Sequence, residues 1–164
     1  GNVIGGGDWA ADRLIPDILS SIEGGQSVKI RNPDAIRPWQ HVLEPLFGYL
    51  TLCERLYEDN SYAGAWNFGP SADDAKSVGW IVEQLFSKWG LPPNWEVHDK
   101  NAPHEAHYLK LDCSKSQSLL KAGARWNLDE ALSSIVEWQK AYIECNDCKD
   151  ATLSQISRFE ETIL

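Results

Sequence analysis

The sequence predicts an α/β chain in which helices are mixed with short strands and no complete parallel sheet can be assembled. Three observations carry this reading. Val78, Ile81, Val82, Leu85, Phe86 and Trp89 recur at the spacing of one helical face, the clearest amphipathic stripe in the chain. Ser27-Val28-Lys29-Ile30-Arg31 alternates polar and apolar residues, the period of a half-buried strand. Asn127 stands three residues before Glu130, the spacing of a capping box. Behind it Leu128, Leu132, Ile135, Trp138 and Tyr142 form another helical stripe.

The remaining elements follow in order. Residues 1–9 contain Gly1, Gly5, Gly6 and Gly7 and close on Asp8-Trp9, which reads as a strand end running into a loop. Pro16 suits the first turn of a helix, Ile18, Leu19 and Ile22 continue it, and Gly24-Gly25 ends it. Asn32-Pro33-Asp34 is a turn. Residues 36–42 read as a second extended piece interrupted by Pro38, followed by a helix with Leu43, Leu46, Phe47, Leu50 and Tyr57 on one face. Ala65–Gly69 is expected to be a short strand, and so is Trp95–His98 after Pro92-Pro93. Asp112 or Ser114 caps a short helix through Leu120. Thr152 and Gln155 suggest one more capped helix, with Leu153, Ile156, Phe159 and Ile163 inward. Residues 1–164 are expected to form a single domain, with 146–164 as a C-terminal helical tail.

Composition narrows the function classes. Of the 164 residues, 43% are hydrophobic and 24% charged, as in ordinary soluble domains. No apolar run approaches the length of about 18 residues that a membrane helix needs, and Gly1-Asn2-Val3-Ile4 does not open a signal peptide. A cytoplasmic location and no membrane partner are expected. The formal net charge of −9 disfavours nucleic acid as a partner. It also gives weight to any basic residues gathered near an anionic ligand. The chain begins on Gly and contains no Met, so it is expected to be a piece of a longer protein. Of the Cys residues only Cys145 and Cys148 are close in sequence. A lone C-x-x-C without a second pair or a nearby His points to reduced thiols rather than to a metal site.

Three segments carry candidate chemistry. Gly5-Gly6-Gly7 offers backbone N–H groups to an anion, or is simply a turn; it matches neither glycine-rich nucleotide fingerprint. The run from Arg31 to His41 packs Arg31, Arg37, Trp39, Gln40 and His41 ahead of a helix. Planar, bidentate Arg suits a diphosphate; surface ion pairing is the alternative. Pro103-His104-Glu105-Ala106-His107-Tyr108 lacks the spacing of H-E-x-x-H. Its His residues are suited to sugar or ribose hydroxyls, or are simply exposed.

Taken together these segments resemble one family. Asn2-Val3-Ile4-Gly5-Gly6-Gly7-Asp8-Trp9, with Arg13-Leu14-Ile15-Pro16-Asp17, looks like the segment after the sixth strand of extended short-chain dehydrogenases/reductases. Ile36-Arg37-Pro38-Trp39-Gln40-His41-Val42-Leu43-Glu44-Pro45 stands where that superfamily has R-D-[WFY]-x-x-V-x-D. Pro38 and Glu44 replace its two Asp residues, a departure that CDP-glucose 4,6-dehydratases share. The stretch from His104 to Lys115, with Trp126, Leu128 and Trp138, is similar to the same group. The resemblance covers residues 1 to about 145.

It implies the C-terminal substrate-binding part of an extended short-chain dehydrogenase/reductase, with the Rossmann portion largely absent. The parent reaction would be that of a lyase. CDP-glucose is oxidised at C4 by a tightly held NAD, loses water across C5 and C6, and regains hydride at C6, giving CDP-4-keto-6-deoxyglucose. Another NAD-dependent sugar-nucleotide epimerase or dehydratase is the alternative, and a non-catalytic nucleotide-binding module is a third. The family's Tyr-x-x-x-Lys pair is missing: Tyr49, Tyr57, Tyr62, Tyr108 and Tyr142 are followed four residues on by Cys53, Ser61, Trp66, Asp112 and Asn146. No catalytic residue is therefore assigned, and the chain alone is expected to be inactive. What carries over is substrate contact: Asn2 and Arg37 to the diphosphate, Arg13 and Leu14 to the nucleotide pocket, and Glu105, His107 and Tyr108 to the segment that closes over the nucleotide. The expected partner is CDP-glucose or a related sugar nucleotide, in a parent that is a homo-oligomer.

Overall fold

The computed structural model describes residues 2–97, 107–144 and 147–162. Strand β1 (Asn2–Ile4) opens the described chain, and β2 (Val28–Ile30) follows the first helix. Strand β3 (Ile36–His41) is the hub of a three-stranded sheet that also takes in β1 and β4 (Ala75–Ser77). Its second half runs parallel to β1, with Asn2 opposite Trp39 and Ile4 opposite His41. Its first half runs antiparallel to β4, with Arg37 opposite Lys76 and Pro38 opposite Ala75. Separately, β2 pairs in parallel with β5 (Trp95–Val97).

The expected interruption at Pro38 does not occur, because β3 is one continuous strand. Pro38 ends the antiparallel ladder and Trp39 begins the parallel one. The N–H that proline lacks therefore falls where the strand changes partners, a position that tolerates it.

Helices supply most of the core. Helix α1 (Leu14–Glu23) buries Ile15, Ile18, Leu19 and Ile22. The N–H groups of Gly24 and Gly25 close its end on Ser20 O and Ile22 O. Helix α2 (Leu43–Glu58) follows β3. Helix α3 (Val78–Trp89) begins with the Ser77 hydroxyl accepting the Trp80 N–H and ends at Gly90 with φ +92°, a left-handed cap that glycine adopts without strain. After the short α4 (Ser114–Leu119) comes α5 (Leu128–Ile143), whose capping box is complete in both directions. Ile18, Ile81, Leu85, Leu132 and Ile135, from α1, α3 and α5, are fully buried. Each such side chain contributes about 1.5–3 kcal/mol of burial. Neither residue expected to cap α4 is its N-cap, which is Cys113; Asp112 stands one residue earlier and accepts the Ser114 N–H at 2.9 Å.

Three expectations need correction. The stripe on α2 is not a buried face: Leu46, Leu50 and Tyr57 are 47%, 70% and 94% exposed. The helix buries Pro45 and Gly48 instead, and a Cβ at Gly48 would collide with the Phe68 ring. Ala65–Gly69 forms no strand. Its carbonyls are taken by side chains rather than by a ladder: Ala65 O by Lys115 Nζ, Asn67 O by Ser116 Oγ and Phe68 O by Gln40 Nε2. The last helix, α6 (Cys148–Glu161), is capped by Asp147, which accepts the Lys149 N–H. Thr152 lies inside α6 and takes the Trp138 indole N–H at 2.9 Å. The inward residues of α6 are Gln155 and Phe159, while Leu153 is exposed. His98 and Ile163 lie outside the described residues, as does Cys145 of the C-x-x-C pair.

Candidate functional site

Four elements converge on one cleft of about 200 Å³. Asn2 comes from β1, Leu14 from the start of α1, Arg31 from the end of β2, and Arg37 and Trp39 from β3. Strand pairing sets Asn2 directly opposite Trp39, so the start of β1 and the middle of β3 share a wall. The Trp39 indole N–H donates to Lys76 O at 3.0 Å, which locks the ring between the two ladders. Arg13 lines an adjoining cleft, together with Asn2, Leu14 and Trp39. Three of the expected substrate residues thus meet in one place, with Arg13 next door.

The cleft carries both signs of charge. Lys29, Arg31 and Arg37 supply positive charge, and Asp12 and Asp17 supply negative charge. The Arg37 guanidinium is half-buried and donates through Nη1 to Ile36 O at 2.9 Å. Burial raises the Asp17 carboxyl above its ordinary value, the neighbouring Asp12 raises it further, and Arg31 opposes both.

The late segment reaches the same strand from outside. Ile36 N donates to His107 O at 2.8 Å and Leu109 N to Ile36 O at 3.2 Å, so Tyr108 bridges to Ile36 in parallel. His107 and Tyr108 therefore lie beside the residue preceding Arg37, but neither lines the cleft. Tyr108 is half exposed, with the Lys110 amine 5.0 Å from its ring centre. Glu105 and His104 lie outside the described residues.

The Arg31–His41 run does not act as a single recognition surface. Gln40 and His41 turn into the interior, where they are 5% and 2% exposed. His41 packs 5.0 Å from Trp126 and accepts the Leu43 N–H at Nδ1. Its proton therefore sits on Nε2, which is buried without a partner among the described residues. Burial and, less strongly, the Arg158 charge lower its pKa from 6.5 to about 4. Between those values the unfolded chain binds a proton that the folded chain does not. Stability should therefore fall as pH drops through that window, by about 3 kcal/mol in full. Glu44, raised by burial, carries the opposite sign, so the two are separated by substitution. Urea unfolding at pH 7 and pH 4.5 should show the loss in wild type and little of it in His41→Gln. Equal slopes in both proteins would exclude the assignment.

The glycine turn serves packing. A Cβ at Gly6 would collide with the Trp138 ring, and Gly7 sits at φ +76° against the same ring. The charged residues that sequence reasoning left unassigned are Asp12, Asp17 and Lys29. Asp17 carries only the ordinary signature of an acidic residue in a first helical turn, and nothing in its local pattern points to the cleft.

No protein-family model matches the chain. Over 160 residues it is 53% identical to the CDP-glucose 4,6-dehydratase of Salmonella typhimurium, a match covering 97% of this chain and 45% of that protein. The chain has the fold of the matching part of the extended short-chain dehydrogenases/reductases. Two solved structures share this fold. A UDP-glucuronic acid 4-epimerase from Bacillus cereus, in complex with UDP-glucuronic acid and NAD, superposes with a TM-score of 0.74 at 18% identity, over 86% of this chain and 43% of its own. A dTDP-glucose 4,6-dehydratase from Bacillus anthracis, in complex with NAD, gives 0.71 at 16% identity, over 87% of this chain and 43% of its own. The chain thus spans less than half the length of these relatives.

Proposed function

We propose that this chain is the substrate-binding part of a CDP-glucose 4,6-dehydratase, a lyase that converts CDP-glucose to CDP-4-keto-6-deoxyglucose with internally recycled NAD. The observation that carries the reading is the meeting of Asn2, Leu14 and Arg37 at one cleft in a chain 53% identical to such a dehydratase. In this reading Arg37 clamps the diphosphate with its two-pronged guanidinium, Asn2 donates to it from the strand end, and Leu14 offers an apolar wall to the nucleotide. Arg13 lines the approach from the adjoining cleft.

NAD would supply hydride removal at C4 and its return at C6. The described residues do not fit a dinucleotide cradle, since Trp138 closes the Gly5–Gly7 turn. No step of that chemistry is therefore assigned to them, and the NAD site and the catalytic base are placed in the other half of a longer polypeptide. The exposed stripe on α2 supports such a division, as does the position of β1 at the edge of its sheet.

The test separates binding from chemistry. Purified chain should form no 4-keto product from CDP-glucose and NAD, because general base and hydride acceptor are supplied elsewhere. Joined to the remaining half, it should turn over. Measurable product from the pure chain would overturn the division of labour. A second reading, an epimerase or dehydratase acting on another sugar nucleotide, draws on the UDP-glucuronic acid 4-epimerase likeness. A substrate panel on the joined protein decides between the two.

A further inference from the structure

We infer that Asp17 and Arg31 read the base of the sugar nucleotide and select cytosine over uracil; this rests on the substrate-binding reading above. The argument starts from a conflict of charge. A cleft built only for a diphosphate would be lined by cations and neutral donors. This one brings the Asp12 and Asp17 carboxylates in beside Arg31 and Arg37. Carboxylates repel a diphosphate, so they face a part of the ligand that donates hydrogen bonds.

Asp17 sits one turn into α1 and Arg31 directly follows β2, so two separate elements bring an acceptor and a donor to the same cavity. They are near enough for the Arg31 charge to act on the Asp17 carboxyl. No described residue donates a hydrogen bond to that carboxylate, although it lines the cleft. Leu14, which also lines the cleft, suits the flat face of a base.

The two pyrimidines of nucleotide sugars differ where this pair is selective. Cytosine presents an exocyclic amine next to two acceptors. A carboxylate accepts from the amine while a guanidinium donates to the acceptors beside it. Uracil puts a carbonyl oxygen in place of the amine, and a carboxylate facing that oxygen is left without a donor. Sites built around such a hydrogen bond reject the mismatched partner strongly, because a desolvated polar group is left unpaired. Ribose hydroxyls are the competing partners, since each both donates and accepts; a ribose contact would act on CDP-glucose and UDP-glucose alike, whereas a base contact separates them.

The experiment is a set of titrations on the full-length protein with CDP-glucose and with UDP-glucose, for wild type, Asp17→Asn and Asp17→Ser. Wild type should prefer CDP-glucose by about tenfold or more. Asp17→Asn should bring the two affinities close together, since an amide turns either its oxygen or its NH₂ toward the base. Asp17→Ser should weaken CDP-glucose while leaving UDP-glucose nearly unchanged. An unaltered preference in both variants would overturn the inference. Equal weakening of both ligands would also overturn it, in favour of a ribose contact. Equal binding of the two ligands by wild type would overturn the inference and leave the substrate-binding reading standing, whereas binding of neither would overturn both.

Discussion

Arg37→Ala is expected to weaken CDP-glucose binding by about 2–4 kcal/mol, the loss of a two-pronged, charge-assisted contact. The position is fixed before any ligand arrives. Arg37 lies opposite Lys76 in the antiparallel ladder, and two residues on Trp39 enters the parallel one. The following proline disfavours a helical backbone at Arg37. Little ordering is left to be done on binding, so most of the contact appears as affinity. Arg37→Lys should recover only part of it, because the charge remains and the fork is lost. Calorimetric titrations of both variants of the full-length protein with CDP-glucose, and separately with NAD, form the measurement. Unchanged CDP-glucose affinity in Arg37→Ala would transfer the diphosphate role to Arg31 or Arg13. A matching loss of NAD affinity would instead indicate general damage to the fold.

The second large effect is structural. Glu44→Ala should destabilise the fold by about 2–4 kcal/mol, because one carboxylate oxygen serves two backbone donors. Glu44 Oε1 accepts from Arg125 N at 3.0 Å and from Trp126 N at 2.7 Å. These bonds tie the first turn of α2 to the chain entering α5, and alanine would leave both amides without that acceptor. Burial raises the Glu44 carboxyl against the lowering effect of the same two hydrogen bonds. Glu44→Gln, which keeps an acceptor oxygen without the charge, should therefore lose clearly less than Glu44→Ala. Chemical denaturation of the three proteins compares them directly. If Glu44→Ala unfolded at the wild-type midpoint, the clamp would contribute nothing.

The difference between what was and was not legible follows the range of the interactions. Helices α1, α3 and α5 were readable because their determinants lie within a few residues: the Ile18–Ile22 stripe, the Val78–Trp89 stripe, and the Asn127–Glu130 spacing. The pairings of β1 with β3 and of β2 with β5 join three-residue segments far apart in sequence, and three residues are too few to carry a period. Gln40 and His41 were misjudged because β3 is buried on both faces from Pro38 onward, which erases the alternation that separates inward from outward residues. The stripe on α2 was legible as a stripe, yet periodicity cannot say what, if anything, covers it. Asn2 and Leu14 were named through resemblance, since no local pattern links residues on different elements, whereas Arg37 also stood out in the polar Arg31–His41 run. The carboxylates of the same cleft carried no such flag.

The uncovered face of α2 also limits how this chain can be reused. Leu46, Tyr49, Leu50 and Tyr57 present an apolar band to solvent, and among the described residues β1 pairs only with β3, at the end of its sheet. An apolar band and a free strand edge are the two surfaces through which isolated domains adhere to one another. Engineering the cleft into a stand-alone nucleotide-sugar sensor would therefore begin away from the cleft. Charged replacements at Leu46, Leu50 and Tyr57, and a blocked edge at Val3, are the changes that would keep such a device dispersed, and none of these residues lines the cleft of Arg37 and Asp17.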